Sequence, residues 1–195
     1  MLWRALPPWG ERMLRVALVG RPGVGKSTLT YSFSKYLERH GHTVCVVNTD
    51  AQAKRLPYKP IIDARKDKQA GQRLGKLKAD VLIVDTPMEL LDVLTDRAAR
   101  DWLRDNCDTV LLIGDAKAGG DLTSAAHLAR AASLVGGALD LKVLPVFNRS
   151  DLARRHATRE SRWGEPIQTS ESPGVLRVSA ITRQGFEGLY SAVLG

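Results

Sequence analysis

Cysteine is scarce in this chain: Cys45 and Cys107 are the only two in 195 residues, each in an apolar setting. A disulfide-stapled scaffold is therefore excluded, and none is needed, because a chain of this length buries roughly 70% of the surface its unfolded form exposes. The four histidines, His40, His42, His127 and His156, stand at no metal-ligand spacing with either cysteine, which argues against a zinc site. No stretch approaches the roughly 20 uninterrupted apolar residues of a membrane span. The opening MLWRALPPWGER carries prolines where a signal peptide has its apolar run. A soluble, cytoplasmic protein without membrane attachment is expected. Acidic residues are the minority, 21 against 29 Lys and Arg, and the net charge of +8 bears on partners and solubility rather than on fold.

Residues 1–12 read as an N-terminal extension, since regular patterning begins at MLRVALVG. From there short apolar runs alternate with longer amphipathic segments across 13–195, the pattern of strand and helix in one parallel-sheet domain. The expected strands are 15–20, 43–49, 80–86, 109–115, 141–147 and 174–179; the expected helices are 26–40, 89–104, 121–135, 150–161 and 185–194. The strands are rich in Val, Leu and Ile on both faces, which suits helices on both sides of the sheet. In the helix 89–104, Leu91, Leu94, Ala98 and Trp102 recur at helical spacing and are assigned to the core. Two segments break the rhythm, as inserts or edge loops: a basic stretch at 51–79 and the polar 150–173.

The strongest motif is GRPGVGKS at 20–27, which matches GxxxxGK[ST] directly after a strand and before a helix. Its glycines let the backbone curl so that several N–H groups face a phosphate, and the helix adds the positive end of its dipole. Pro22, Gly23, Val24, Gly25, Lys26, Ser27 and Thr28 are the candidate phosphate-binding residues. Lys26 can reach the terminal phosphates. Ser27, Asp50 and Asp85 are the candidate ligands of Mg²⁺, the two aspartates because they follow strands at the carboxyl edge, where open α/β sheets bind ligands. A plain turn-capping role is the alternative for each carboxylate.

After the fifth strand comes NRSD at 148–151. It resembles the NKxD guanine-specificity motif of GTPases: Asp151 can accept from the N1 and N2 donors of guanine, Asn148 can serve the opposite edge, and the stem of Arg149 can cover the ring. Helix capping by Ser150 or Asp151 competes with that reading. The stretch VSAITRQGFEGL at 178–189 looks like the last GTPase motif and adds Ser179, Ala180 and Ile181 to the guanine candidates, with a backbone N–H near Ala180 meeting guanine O6.

With these motifs in order, the sequence resembles the GPN-loop GTPases, a branch of the P-loop NTPases. The run VVNTDAQAKRLPYKPIIDAR at 46–65 is similar to that family's VVNLDPA followed by LPY, P and DIR; DTP at 85–87, GDAKAGGDLTSAAHLARAAS at 114–133 and LPVFNRSDL at 144–152 are further matches. The resemblance implies a P-loop NTPase fold, α/β with a mainly parallel sheet and helices on both faces, Mg²⁺-dependent hydrolysis of GTP to GDP, and a homodimer. Lys26, Asp50 and Glu89 are then the candidate catalytic residues, with Asp50 positioning the attacking water.

Two departures qualify what is implied. The tripeptide GPN is absent, and the family's DTPGQ becomes DTPME, with Met88 and Glu89 in place of Gly and Gln. A Gln can orient water, whereas a carboxylate meets the triphosphate as a like charge. Three readings of function follow: a GTP hydrolase, a GTP- or GDP-dependent switch that scarcely hydrolyses and engages a protein or nucleic-acid partner, and a P-loop kinase. The basic residues 54–78 likewise have three readings. Arg65, Lys66 or Lys68 supplies charge to the phosphates; the run contacts nucleic acid; or it is a solvated surface.

Overall fold

The computed structural model describes residues 13–66, 78–115, 125–152 and 174–195. The expectations placed on the extension 1–12, on Lys68 and on 153–173 lie outside the described residues. Seven strands form one sheet: β1 (Leu14–Val19), β2 (Val44–Asn48), β3 (Ile62–Asp63), β4 (Val81–Asp85), β5 (Thr109–Asp115), β6 (Lys142–Asn148) and β7 (Leu176–Arg177). Their order is β3-β2-β4-β1-β5-β6-β7, and every pairing is parallel. Around the sheet lie helices α1 (Lys26–Arg39), α2 (Leu90–Thr95), α3 (Arg97–Asn106), α4 (Ala125–Leu139) and α5 (Phe186–Leu194).

Alternate side chains of one strand serve opposite cores, as the pleat requires. Val16 and Leu18 of β1 pack with Leu29, Phe33 and Leu37 of α1 and Phe186 and Leu189 of α5. Ala17 and Val19 pack on the other face with Val93, Trp102, Leu103, Leu128 and Val135 from α2, α3 and α4. These four residues of β1 are all buried, which is why Val16–Val19 present no polar side chain to either core. At the amino end of the sheet a bidentate pair from Arg15 to Asp108 (2.6 and 2.9 Å) ties β1 to the loop before β5.

The helix expected at 89–104 is two helices. Asp96 is extended (φ −96°, ψ 113°) and its carboxylate accepts from the Ala98 N–H at 2.8 Å, capping α3. That break resets the helical phase, so spacing carried across it misplaces the apolar face. Leu91 and Leu94 are 66% and 42% exposed and Ala98 is exposed too, whereas Trp102 is buried as expected, in a stripe with Val93, Ala99 and Leu103. The strand β3 was not legible either, being two residues long in a stretch without apolar periodicity. Parallel pairing places the carboxyl ends of β1, β2, β4, β5 and β6 along one edge, with Asn48 opposite Asp85 and Asp115 opposite Asn148. The chain order reverses at β1, so the loop that follows it sits at the switch point of the sheet.

Candidate nucleotide site

The loop after β1 is short of side chains and rich in backbone donors. Gly25 precedes α1 with φ 94°, and a Cβ there would stand 2.5 Å from Asn148 Nδ2. Glycine is thus required both by conformation and by the close approach of β6. α1 has no side-chain cap and no acidic residue in its first turn, leaving its amino end suited to an anion. The Lys26 ammonium donates to the carbonyls of Gly20 and Arg21 across the mouth of this loop. Burial lowers its pKa, and the nearby carboxylates Asp85, Glu89, Asp50 and Asp92 oppose that shift.

Beside it, β4 ends in Asp85, only 3% exposed. Burial raises the pKa of this carboxyl, against the pull of hydrogen bonds from the Ser27 and Tyr58 hydroxyls and the charge of Lys26. The Tyr58 hydroxyl donates to Asp85 Oδ2 at 2.6 Å. Burial and the Asp85 charge push the phenol well above its ordinary range, so it is a donor. A buried carboxylate with a serine hydroxyl beside it and Asp50 close enough to act on its charge is a hard-oxygen donor set that fits Mg²⁺. Among the described residues no group of three or more His, Cys, Asp or Glu is arranged to hold a metal. Mg²⁺ held partly by phosphate oxygens requires only one or two carboxylates.

Asp50 follows β2 in a loop organised by Asn48. The Asn48 amide donates to the Asp50 carbonyl and to Asp63 Oδ1, each at 3.0 Å, while its oxygen accepts from the Asp50 N–H at 3.1 Å. The Asp50 carboxylate accepts from the Gln52 N–H at 2.8 Å, a local turn cap. Arg65 forks onto Asp63 at 2.6–3.1 Å and donates to the Ala53 carbonyl at 3.2 Å, closing the loop on itself. Its guanidinium is therefore committed within this loop, and Lys66 is exposed. Arg65 thus closes this loop, and of the three residues expected to supply charge to the phosphates it is the one with such partners described.

The segment after β4 is pinned to the phosphate loop. Thr86 Oγ1 donates to the Leu18 carbonyl at 2.6 Å and accepts from the Met88 N–H at 3.2 Å; the Met88 carbonyl accepts from the Gly20 N–H at 2.9 Å. Met88 is 1% exposed, its side chain in the core. Glu89 is the N-cap of α2 in a reciprocal capping box with Asp92, whose carboxylate accepts the Glu89 N–H at 2.8 Å.

On the opposite side of β1 the base-side candidates gather. Asn148 Nδ2 donates to the Val24 carbonyl at 3.0 Å, and its oxygen accepts from the Ala180 N–H at 3.2 Å, so one buried amide joins three loops. That N–H, assigned by resemblance to guanine O6, is directed at Asn148 in this structure. Arg149 has φ 61°, an uncommon conformation for a side-chain-bearing residue, and is held there by bonds to Asp115 and to the Gly23 carbonyl, both 2.6 Å. Asp151 lies on the helical turn that begins at Ser150. The Ser150 hydroxyl is buried without a hydrogen-bond partner, so it caps nothing among the described residues. Ser179 is fully buried and its hydroxyl accepts from the Thr182 N–H at 3.1 Å; Ile181 is 79% exposed. Pro22, Gly23 and Thr28 are exposed along the loop and the start of α1. Sequence reasoning assigned no role to Tyr58 or Asp115, although both stand in quoted stretches; each makes its contact across more than 25 residues.

Comparisons with known proteins bear on the fold and its relatives. Residues 18–74 match the family model described as conserved hypothetical ATP binding protein. A segment of 50 residues is 50% identical to the GPN-loop GTPase PAB0955 of Pyrococcus abyssi, and 101 residues are 32% identical to the signal recognition particle 54 kDa protein of Methanopyrus kandleri. Those segments cover 26% and 50% of this chain but only 20% and 19% of the relatives, so the chain matches about a fifth of their length. The crystal structure of PAB0955, a GTPase in apo form, superposes with TM-score 0.69 at 23% identity, covering 92% of this chain and 96% of that one. A plasmid partition protein from Borrelia burgdorferi superposes with TM-score 0.54 at 15% identity over 93% and 96% of the two chains. At such identities the likeness speaks for fold. No helix among the described residues is long and apolar enough to cross a membrane. Segment and fold point the same way: this chain has the P-loop NTPase fold and is similar to the GPN-loop GTPases, without the tripeptide that gives them their name.

Proposed function

We propose that this protein binds guanine nucleotides with Mg²⁺ and hydrolyses GTP to GDP and phosphate, slowly. The observation that carries the reading is the Asn148 bridge, which sets the NRSD and SAI segments against the phosphate loop at one sheet edge. In this reading the loop N–H groups and Lys26 hold the phosphates, Ser27 and Asp85 hold Mg²⁺, and Asp50 orients water. When bound, Mg²⁺ neutralises charge on the phosphate oxygens. Asp151 selects guanine, because adenine presents an acceptor at N1 and leaves the carboxylate unpaired. Arg149, fixed by Asp115, covers the base. Dimerisation by this chain belongs to the proposal, and so does a cytoplasmic setting.

Slow turnover is supported by the pinned segment after β4. The residue-88 N–H is engaged by Thr86, the Met88 side chain is in the core, and Glu89 caps a helix. The same observations favour the second reading, a nucleotide-dependent switch that scarcely turns over. Calorimetry with GDP, GTP and ATP in magnesium buffer, then single-turnover GTP cleavage, tests both. Guanine binding at least tenfold tighter than ATP, lost in Lys26→Ala, with phosphate release, is expected. Tight binding without release leaves the switch; preference for ATP overturns the guanine assignment.

A further inference from the structure

Tyr58 stands on a strap between β2 and β3 whose sequence, Leu56-Pro57-Tyr58-Lys59-Pro60, is stiffened by two prolines. The strap is fastened beyond Pro60, where the Ile61 N–H donates to the Val46 carbonyl at 2.8 Å, and before Leu56, where Arg65 grips the Ala53 carbonyl. Between these anchors a cavity of about 640 Å³ opens, lined by Tyr58 with Tyr31, Lys35, Pro57 and Pro60. Packing on that side is therefore incomplete, and the phenol reaches inward from it to Asp85 Oδ2. Asp85 ends a central strand and has almost no exposure, so its last torsion is set by the donors that meet it.

We infer that Tyr58 is a positioning residue for the cation site: its hydroxyl fixes the Asp85 carboxylate in the orientation that, with Ser27, receives Mg²⁺ beside the phosphates. The inference rests on the proposed Mg²⁺-nucleotide reading and adds a residue to it. One oxygen of Asp85 is taken by the phenol, which restricts rotation of the group and leaves its remaining lone pairs for the site. Outer partners of this kind typically cost 10–100-fold in metal affinity when removed. The strap also gives the outside of the molecule a route to the site, because displacement of Pro57 or Pro60 carries the hydroxyl with it.

The test is a Mg²⁺ titration of GDP affinity by calorimetry on the full chain, with a parallel measurement in EDTA. Tyr58→Phe keeps the ring and removes the donor. Its Mg²⁺ midpoint is expected to rise at least tenfold, with GDP affinity in EDTA unchanged. An unchanged or lowered midpoint, or an equal loss in EDTA, overturns the inference, the last outcome marking Tyr58 as a loop anchor. If Tyr58→Phe does not fold, Pro60→Ala replaces it, with the same rise expected and the same outcomes decisive against it. Wild-type protein whose GDP binding ignores Mg²⁺ overturns the underlying reading as well, so the two failures are told apart in the wild-type titration.

Discussion

The two halves of the site, on either side of β1, are organised by different chemistry. On the β5–β6–β7 side a neutral amide, Asn148, holds the phosphate loop to the Ala180 turn, and Arg149, paired with Asp115, also bonds the Gly23 carbonyl. On the β4–β2–β3 side the organisers are carboxylates: Asp63 gripped by Arg65, and Asp85 met by Tyr58 with Ser27 beside it. A neutral, buried bridge fixes geometry without attracting a cation. Partly compensated carboxylates keep a negative charge that attracts one. In the proposed reading the first half presents the base site and the second receives a metal beside the phosphates.

The largest effect is expected from Met88→Gly, which empties a core position and frees the pinned segment. Loss of the side chain, with added backbone freedom, should cost about 3–6 kcal/mol in urea unfolding, while single-turnover GTP cleavage speeds up. Stability lost with cleavage unchanged would show that pinning at residue 88 does not slow the chemistry. Asn148→Ala should follow, at about 2–5 kcal/mol, because it strands the Val24 carbonyl and the Ala180 N–H, each costing about 1–3 kcal/mol. GDP affinity should fall alongside. A variant as stable as wild type would remove the base half's organiser.

Asp115→Asn should be milder, about 1–2 kcal/mol in GDP binding, as a charge-assisted bond is replaced by a neutral one. The matching change in binding of inorganic triphosphate should be small, since Arg149 is assigned to the base. Equal losses for both ligands would move Arg149 to the phosphate half. The smallest effect concerns pH. Hydrogen bonds from Arg65 hold the Asp63 carboxyl well below its ordinary value. Its contribution is present above the unfolded carboxylate value of about 3.9 and is lost as pH falls through the lower, folded one. Asp63→Asn should therefore flatten the acid limb of stability below about pH 4, whereas an Asn148 variant, lacking no titrating group, should keep that limb's shape. Parallel acid limbs for Asp63→Asn and wild type would argue that the Asp63 pair contributes nothing.

Much of the fold is legible residue by residue, because each long buried strand, β3 excepted, announces itself as a run of Val, Leu and Ile between turn formers. The phosphate loop is equally plain, since Gly25 and Lys26 do their work within a few residues of one another. The break at Asp96 is not, for a capping aspartate inside an amphipathic pattern looks like any polar residue on the outer face. Leu91, Leu94 and Ala98 were misplaced for that reason.

Local chemistry in the sequence thus determines the α/β alternation, the glycine-rich loop after β1 and the acidic residues that follow β2 and end β4. Tertiary structure alone decides that Tyr58 meets Asp85, that Arg149 is pinned by Asp115, and that Asn148 spans Val24 and Ala180. Periodicity records which face a residue turns to the core. Which distant loop waits at the end of its side chain depends on the strand order that brings β4 between β1 and β2, and β6 beside β5, and that order is a property of the whole chain's packing.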